Sequence, residues 1–156
     1  MEKLAKLLVA IVICEGVGMM ASVFTLTSIS TWYQYLNKPV FIPPSSVFAP
    51  VWIILYALMA ISWYLALEVK SKTSRNEYSY YFFVQLLLNF IWPVAFFYFH
   101  FLSISLTVIF ALLFVILLLI FKAWRISRPA AILLVPYLLW VGFATYLNMM
   151  VVFLNR

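Results

Sequence analysis

The chain has 156 residues, of which 68% are hydrophobic and 9% charged, with a mean hydropathy of +1.13. That balance excludes a soluble globular domain, whose apolar share is about half, and makes the chain an integral membrane protein. The formal net charge of +6 would point to nucleic acid or an acidic partner in a soluble protein; here it encodes topology, and no nucleic-acid partner is expected.

A helix needs about 20 apolar residues to cross the hydrocarbon. The sequence has room for five such spans, near 5–29, 46–69, 78–100, 102–122 and 129–154, within a single domain covering 1–156. A β-barrel would alternate apolar and polar residues along each strand, whereas Leu106 to Ile120 is continuously apolar apart from Thr107. The predicted fold is therefore an all-α bundle of five transmembrane helices.

The first span begins after Lys3 and Lys6 like a signal peptide, but its apolar run continues to Ile29 and is interrupted by Glu15, so no cleavage is expected. Ala10, Cys14, Gly18 and Ser22 recur every four residues and form a small-residue seam, serving either internal packing or a homodimer contact. Glu15 is the lone acid inside a span. Burial favours the neutral acid, so a protonated carboxyl with an internal hydrogen bond is expected there, the alternative being a wet channel. Cys14, as the single cysteine, forbids an internal disulfide.

Between the first two spans, residues 30–45 pack aromatics, Lys38, Pro39, Pro43 and Pro44 into one connection. Proline fixes φ, lacks an amide hydrogen and biases the preceding residue away from helix, so this connection is irregular and stiff, a candidate lid. In the second span Trp52, Tyr56, Met59 and Trp63 share a helical face. In the third, Gln85, Asn89, Trp92 and Phe96 do the same, polar at one end and aromatic at the other. Amides facing lipid would lack partners, so Gln85 and Asn89 face the bundle or a wet cavity, either bonding between helices or meeting a ligand. The uncharged run from Tyr78 to Phe121 is too long for one span and divides near His100 to Ser103. In the fifth span Trp140, Phe143, Ala144 and Leu147 form another stripe. Such stripes serve core packing, interfacial anchoring or a flat apolar pocket.

With five spans, Lys3, Lys6, Lys70, Lys72, Arg75, Lys122, Arg125 and Arg128 fall on the N-terminal side, and Lys38 and Arg156 on the other. The positive-inside rule then places the N-terminus in the cytoplasm and the candidate lid and C-terminus outside. Ordinary catalytic sets are missing. The acids are Glu2, Glu15, Glu68 and Glu77, His100 is the only histidine, and there is no aspartate. That excludes a Ser-His-Asp triad and a clustered transition-metal site, and the three glycines make no phosphate loop. His100 is expected to be a turn or interface residue, with a haem ligand as the lesser reading.

Trp32, Tyr33, Leu36, Lys38 and Pro39, then Pro43 and Pro44, then Pro50, Trp52, Leu55 and Tyr56 resemble the signature of the translocator protein family (TspO/MBR), also called tryptophan-rich sensory proteins or peripheral-type benzodiazepine receptors. Gln85, Asn89, Trp92, Pro93, Phe96 and Phe97, and then Pro136, Tyr137, Trp140, Phe143, Thr145, Leu147 and Asn148, agree in type and order. The resemblance implies a five-helix bundle that binds porphyrins such as protoporphyrin IX, or other polycyclic ligands, under the first loop. Its binding positions map to Tyr33, Pro43, Pro44, Trp52, Asn89, Trp92, Trp140, Phe143, Ala144 and Leu147. It implies no required cofactor, a receptor, sensor or carrier role, and as alternatives light-driven porphyrin breakdown carried by Trp52 and Trp140, or sterol transport. Phe41 and Phe90 stand where relatives carry Trp and are expected to keep an aromatic wall. Tyr146 is too far from Arg156 to complete the cholesterol motif of animal members. A bacterial cytoplasmic membrane is the expected location, with the mitochondrial outer membrane second.

Overall fold

The computed structural model describes residues 2–155; Arg156, counted above among the charges of the lid side, lies outside them. The described chain is helical, without strands. Helix α1 covers Glu2–Ile29, α2 Ser45–Leu67, α3 Lys72–Pro93, α4 Leu102–Ile126, α5 Arg128–Leu133 and α6 Val135–Leu154. A 3₁₀ turn at Tyr33–Tyr35 sits in the first connection, and a π-helical turn at Val94–Tyr98 extends α3. Five helical segments are long and apolar enough to cross a membrane, with α5 and α6 together forming the fifth.

The helices outrun several predicted spans. Hydropathy stops at charge, but a helix continues while its backbone is paired. The third span therefore starts at Lys72 rather than 78, where the Ser71 hydroxyl caps α3 by accepting from the Ser74 amide at 3.3 Å. Likewise α4 carries Lys122 and Arg125 on its last turns instead of ending at 122. Long basic side chains reach the interface from such positions.

Helix interruptions have identifiable causes. Pro93 has no amide to give the carbonyl four residues back, and the hydrogen-bond ladder slips by one residue, so that Phe99 donates to Val94 at 3.1 Å. His100 then takes φ of 58°, the left-handed conformation that reverses the chain into α4. Its ring stacks on Trp32, with centroids 4.0 Å apart, which fixes the turn. Pro136 likewise follows the break between α5 and α6 at Leu134.

Around the bundle, α1 packs on α2 and on α3 with its π turn, α3 on α4, and α4 on α5 and α6, while α2 closes the ring chiefly through α5. Lipid is as apolar as leucine, so packing and interhelical hydrogen bonds hold such a bundle together. Ala10 and Cys14 are fully buried, and Gly18 lets the Tyr56 ring approach so closely that a Cβ would lie 2.5 Å from it. The predicted seam thus serves internal packing as far as Gly18, whereas Ser22 is exposed. Glu15 is half-buried and has no hydrogen-bond or ion-pair partner among the described residues, so the internal hydrogen bond expected for it is not made. Its neighbour Cys14 takes the inward position, which turns Glu15 toward the rim of the contact.

Two ends of the bundle are distinguishable. At one, Lys3 and Lys6 both reach Glu68 at 3.6 Å, and Lys122 meets Glu77 at 2.6 Å. At the other, Asn37 and Asn155 bridge 118 residues of sequence: the Asn37 amide donates to Asn155 Oδ1 at 2.9 Å, and Asn155 Nδ2 donates to the Asn37 carbonyl at 2.9 Å. Asn37 Nδ2 also donates to the Leu154 carbonyl at 3.3 Å. The first connection is thereby tied to the end of α6.

Candidate functional site

Three layers can be followed from the first connection into the bundle. The outermost is aromatic. Tyr33, on the 3₁₀ turn, meets the Phe97 and Phe96 rings at 5.6 and 6.1 Å, and Trp92 meets the same two rings from α3 at 6.3 and 6.1 Å. The π turn makes this possible, because its extra residue rotates Phe96 and Phe97 toward the connection. Lys38 sits 4.8 Å above the Tyr33 ring and donates to the Gln34 carbonyl at 3.1 Å. Burial pushes the Tyr33 phenol above its ordinary value.

The middle layer is a chain of hydrogen bonds joining α2, α3 and α6. Tyr56 donates its hydroxyl to Asn89 Oδ1; Asn89 Nδ2 donates to the Tyr137 oxygen at 2.7 Å; Tyr137 donates to Gln85 Oε1 at 2.8 Å. Both polar atoms of Asn89 are thus engaged between helices. Trp52 packs edge-on to Tyr137 at 6.4 Å and tilted to Tyr56 at 5.7 Å, so its ring covers this chain. Nearer the basic end, Ser62 donates to the Ala130 carbonyl at 2.7 Å and pairs with the Tyr78 hydroxyl at 2.7 Å, locking α2 and α3 onto α5.

The third layer is lateral. An apolar groove of about 470 Å³ lies between α2 and α6, lined by Val51, Ile54, Leu55, Leu58, Pro136, Leu139, Trp140 and Phe143. Direct contact between α2 and α6 is slight, and the bulk of Phe48, 5.7 Å from the Trp140 ring, props the groove near the start of α2.

Some buried polar atoms have no partner among the described residues. Among the described residues Trp140 Nε1, Asn148 Nδ2 and Gln85 Nε2 are buried donors without a partner, and Ser28 Oγ is a fourth buried orphan. Asn148 spends its oxygen on the Trp92 indole, which donates at 3.0 Å, leaving its amide nitrogen open. Nearly all buried polar groups in proteins are paired, with protein or with ordered water, so these donors are open to an acceptor.

The structure thus brings Tyr33 and Trp92 together in the aromatic layer, Trp52 and Asn89 in the hydrogen-bonded layer, and Trp140 and Phe143 on the groove. Ala144 and Leu147 are buried on α6 between them, each 7% exposed. Pro43 and Pro44 stand at the entry to α2, where Pro44 precedes the first turn and its carbonyl accepts from Val47 at 3.0 Å. Phe41 is 81% exposed and has no ring contact among the described residues, so it supplies no wall here; Phe90 meets Phe24 edge-on at 6.0 Å. Tyr137, bonded to Asn89 and Gln85, and Asn148, which accepts from Trp92, meet the predicted positions directly, although the resemblance assigns neither to binding. Their signal was a polar group deep in an apolar span. Among the described residues no group of His, Cys and acids could hold a metal ion.

The sequence matches the TspO/MBR family over residues 10–154. It is 37% identical over 150 residues to the tryptophan-rich protein TspO of Archaeoglobus fulgidus, covering 96% of this chain and 97% of that one. It is 30% identical over 138 residues to the tryptophan-rich sensory protein of Cereibacter sphaeroides, covering 88% and 85%. With the translocator protein of Ovis aries it shares 36% identity over 129 residues, covering 75% and 70%.

Proposed function

We propose that this chain, which belongs to the TspO/MBR family, is a membrane receptor or sensor for porphyrin-like tetrapyrroles and other flat polycyclic molecules. The names of its relatives, sensory protein and translocator protein, support the receptor or sensor part. The observation that carries the ligand class is the pair of buried N–H groups at Trp140 and Asn148, without partners among the described residues, beside the aromatic walls. A flat apolar ligand bearing carbonyl or carboxylate oxygens supplies the missing acceptors, while the rings of Trp52, Trp92, Trp140 and Phe143 take its faces. Among the described residues no charged side chain lines the groove, so a carboxylate left over would stay outside it. The ligand enters by the groove or under the first connection, and its contact with Tyr33 and Trp92 biases that connection's docking. On this reading no cofactor is required.

The basic end faces the cytoplasm and the first connection faces out, as the charge asymmetry favours; a bacterial cytoplasmic membrane suits that arrangement. The test is protoporphyrin IX titrated into the detergent-solubilised protein, read by tryptophan quenching in the dark and then by absorbance under illumination. Saturable binding that weakens in Trp140→Phe and Trp52→Phe supports the proposal. Absence of saturable binding overturns it. Protein-dependent loss of porphyrin in the light, abolished in the same variants, would move the assignment to a photochemical enzyme using Trp52 and Trp140.

A further inference from the structure

The basic end of the bundle holds a second concavity, remote from the layers above. It is a cleft of about 260 Å³ between α3 and α4, lined by Ser74, Glu77, Phe121, Lys122, Arg125 and Ile126. Its polar contacts are unequal. Lys122 is committed, with its ammonium 2.6 Å from Glu77 and over the Tyr81 ring at 4.6 Å. Arg125 has no carboxylate partner among the described residues; its guanidinium lies over the Phe121 ring at 4.4 Å. The cleft therefore keeps one uncompensated positive charge after Glu77 and Lys122 cancel. Lys70 in the connection before α3, Lys72 and Arg75 at the start of α3 and Arg128 at the start of α5 add further charge, none in an ion pair among the described residues.

Below the cleft the exposed face of α4 is apolar. Phe114, Leu117 and Phe121 follow one another at helical spacing, 62%, 49% and 58% exposed, and Trp124 stands at the rim, 52% exposed. Trp at such a level marks the membrane interface. A positive notch opening between spans, continuous with an apolar track into the hydrocarbon, has the two-part chemistry of a phospholipid: an anionic headgroup and acyl chains. We propose that the cleft between α3 and α4 binds the headgroup phosphate of an anionic phospholipid, with Arg125 as the principal cation and the Phe114–Phe121 face of α4 carrying a chain. Basic hollows between transmembrane helices favour anionic headgroups for this reason, each nearby cation strengthening binding about fivefold. Glu77 opposes the phosphate, so its removal frees Lys122 for the lipid.

The test is native mass spectrometry of the delipidated protein with phosphatidylglycerol or phosphatidylcholine, with inorganic phosphate as a competitor. Phosphatidylglycerol is expected to be retained preferentially, Arg125→Gln to lower that preference about fivefold, Arg125→Lys to restore part of it, and Glu77→Gln to raise it. Equal retention of the two lipids overturns the proposal, as does a preference indifferent to Arg125→Gln. Displacement of the lipid by inorganic phosphate alone overturns it too, because the site would then be one for a soluble anion.

Discussion

Two sets of polar side chains lie inside this bundle, and they are finished differently. Around Tyr137 and Tyr78, hydroxyls and amides hand hydrogen bonds from one helix to the next, with Gln85 Nε2 as the one loose end. Beyond Tyr137 along α6, Trp140 and Asn148 each leave a buried N–H without a partner among the described residues. A membrane protein gains little hydrophobic drive for helix association, so paired polar groups and close packing hold the scaffold together. An unpaired buried donor costs about 1–3 kcal/mol unless something supplies its acceptor. The first set therefore reads as scaffold and the second as a receptacle.

The largest effect expected is on the scaffold, at its tightest contact. In Gly18→Ala the new Cβ falls 2.5 Å from the Tyr56 ring, whose hydroxyl is held by Asn89. Displacing that ring breaks packing and the first hydrogen bond of the chain together, so thermal unfolding in detergent should show a loss of about 1–3 kcal/mol. Gly16→Ala is the internal control. Nothing lies within 4 Å of its added Cβ, and alanine favours helix over glycine by about 1 kcal/mol, so this variant should be as stable as the parent or more so. Equal behaviour of the two glycines would remove the close-contact argument.

Next in size is a pair of substitutions that should separate scaffold from receptacle. Tyr137→Phe leaves the Asn89 amide nitrogen and Gln85 Oε1 without their partner, and should cost about 1–2 kcal/mol of stability. Trp140→Phe removes an N–H that has no partner among the described residues; it should lose packing but no hydrogen bond, while porphyrin affinity falls about tenfold if that N–H meets the ligand's acceptor. If Tyr137→Phe instead lowers affinity and spares stability, the division drawn between the two sets is wrong.

Sequence periodicity reached one half of this picture. Gln85, Asn89 and Phe96 could be placed on one face because an α-helix repeats every 3.6 residues, and all three are buried. Their partners could not be read the same way, because Tyr137 lies 48 residues beyond Asn89 and Asn148 56 residues beyond Trp92. Periodicity reports which face is inward, not which atoms meet. The five spans were legible from apolar length, and the division near His100 from a short polar break, but the π turn that re-aims Phe96 and Phe97 depends on the backbone consequence of Pro93. Phe41 marks the limit of analogy by residue type: an aromatic in a lid need not face inward, and this one is 81% exposed.

A smaller effect is expected where receptacle meets solvent. Asn155→Ala deletes both the acceptor for the Asn37 amide and the donor to its carbonyl. The first connection should then open locally at a cost of about 1 kcal/mol, seen as faster amide exchange across residues 30–44 with global unfolding little changed. Uniform acceleration throughout the bundle would mean that the Asn37–Asn155 pair belongs to the scaffold instead.

The smallest effect is a pH dependence of the same connection, and its sign follows from Tyr33. Burial raises the docked phenol above the ordinary value of 10.0, so ionisation is harder in the docked state than in the undocked one. Below that ordinary value both states hold the proton and docking is insensitive to pH. As pH rises through it the undocked phenol ionises first, which draws the connection away from Phe96 and Phe97, and the docking advantage falls until the docked phenol also ionises. Exchange of residues 30–44 should therefore quicken at alkaline pH beyond the intrinsic base-catalysed rate, and Tyr33→Phe should abolish that excess. A Tyr33→Phe protein with the same excess would assign the alkaline opening to another group. An unchanged parent would show that the phenol reaches solvent while docked, leaving the aromatic layer as an open vestibule over the receptacle rather than its closed roof.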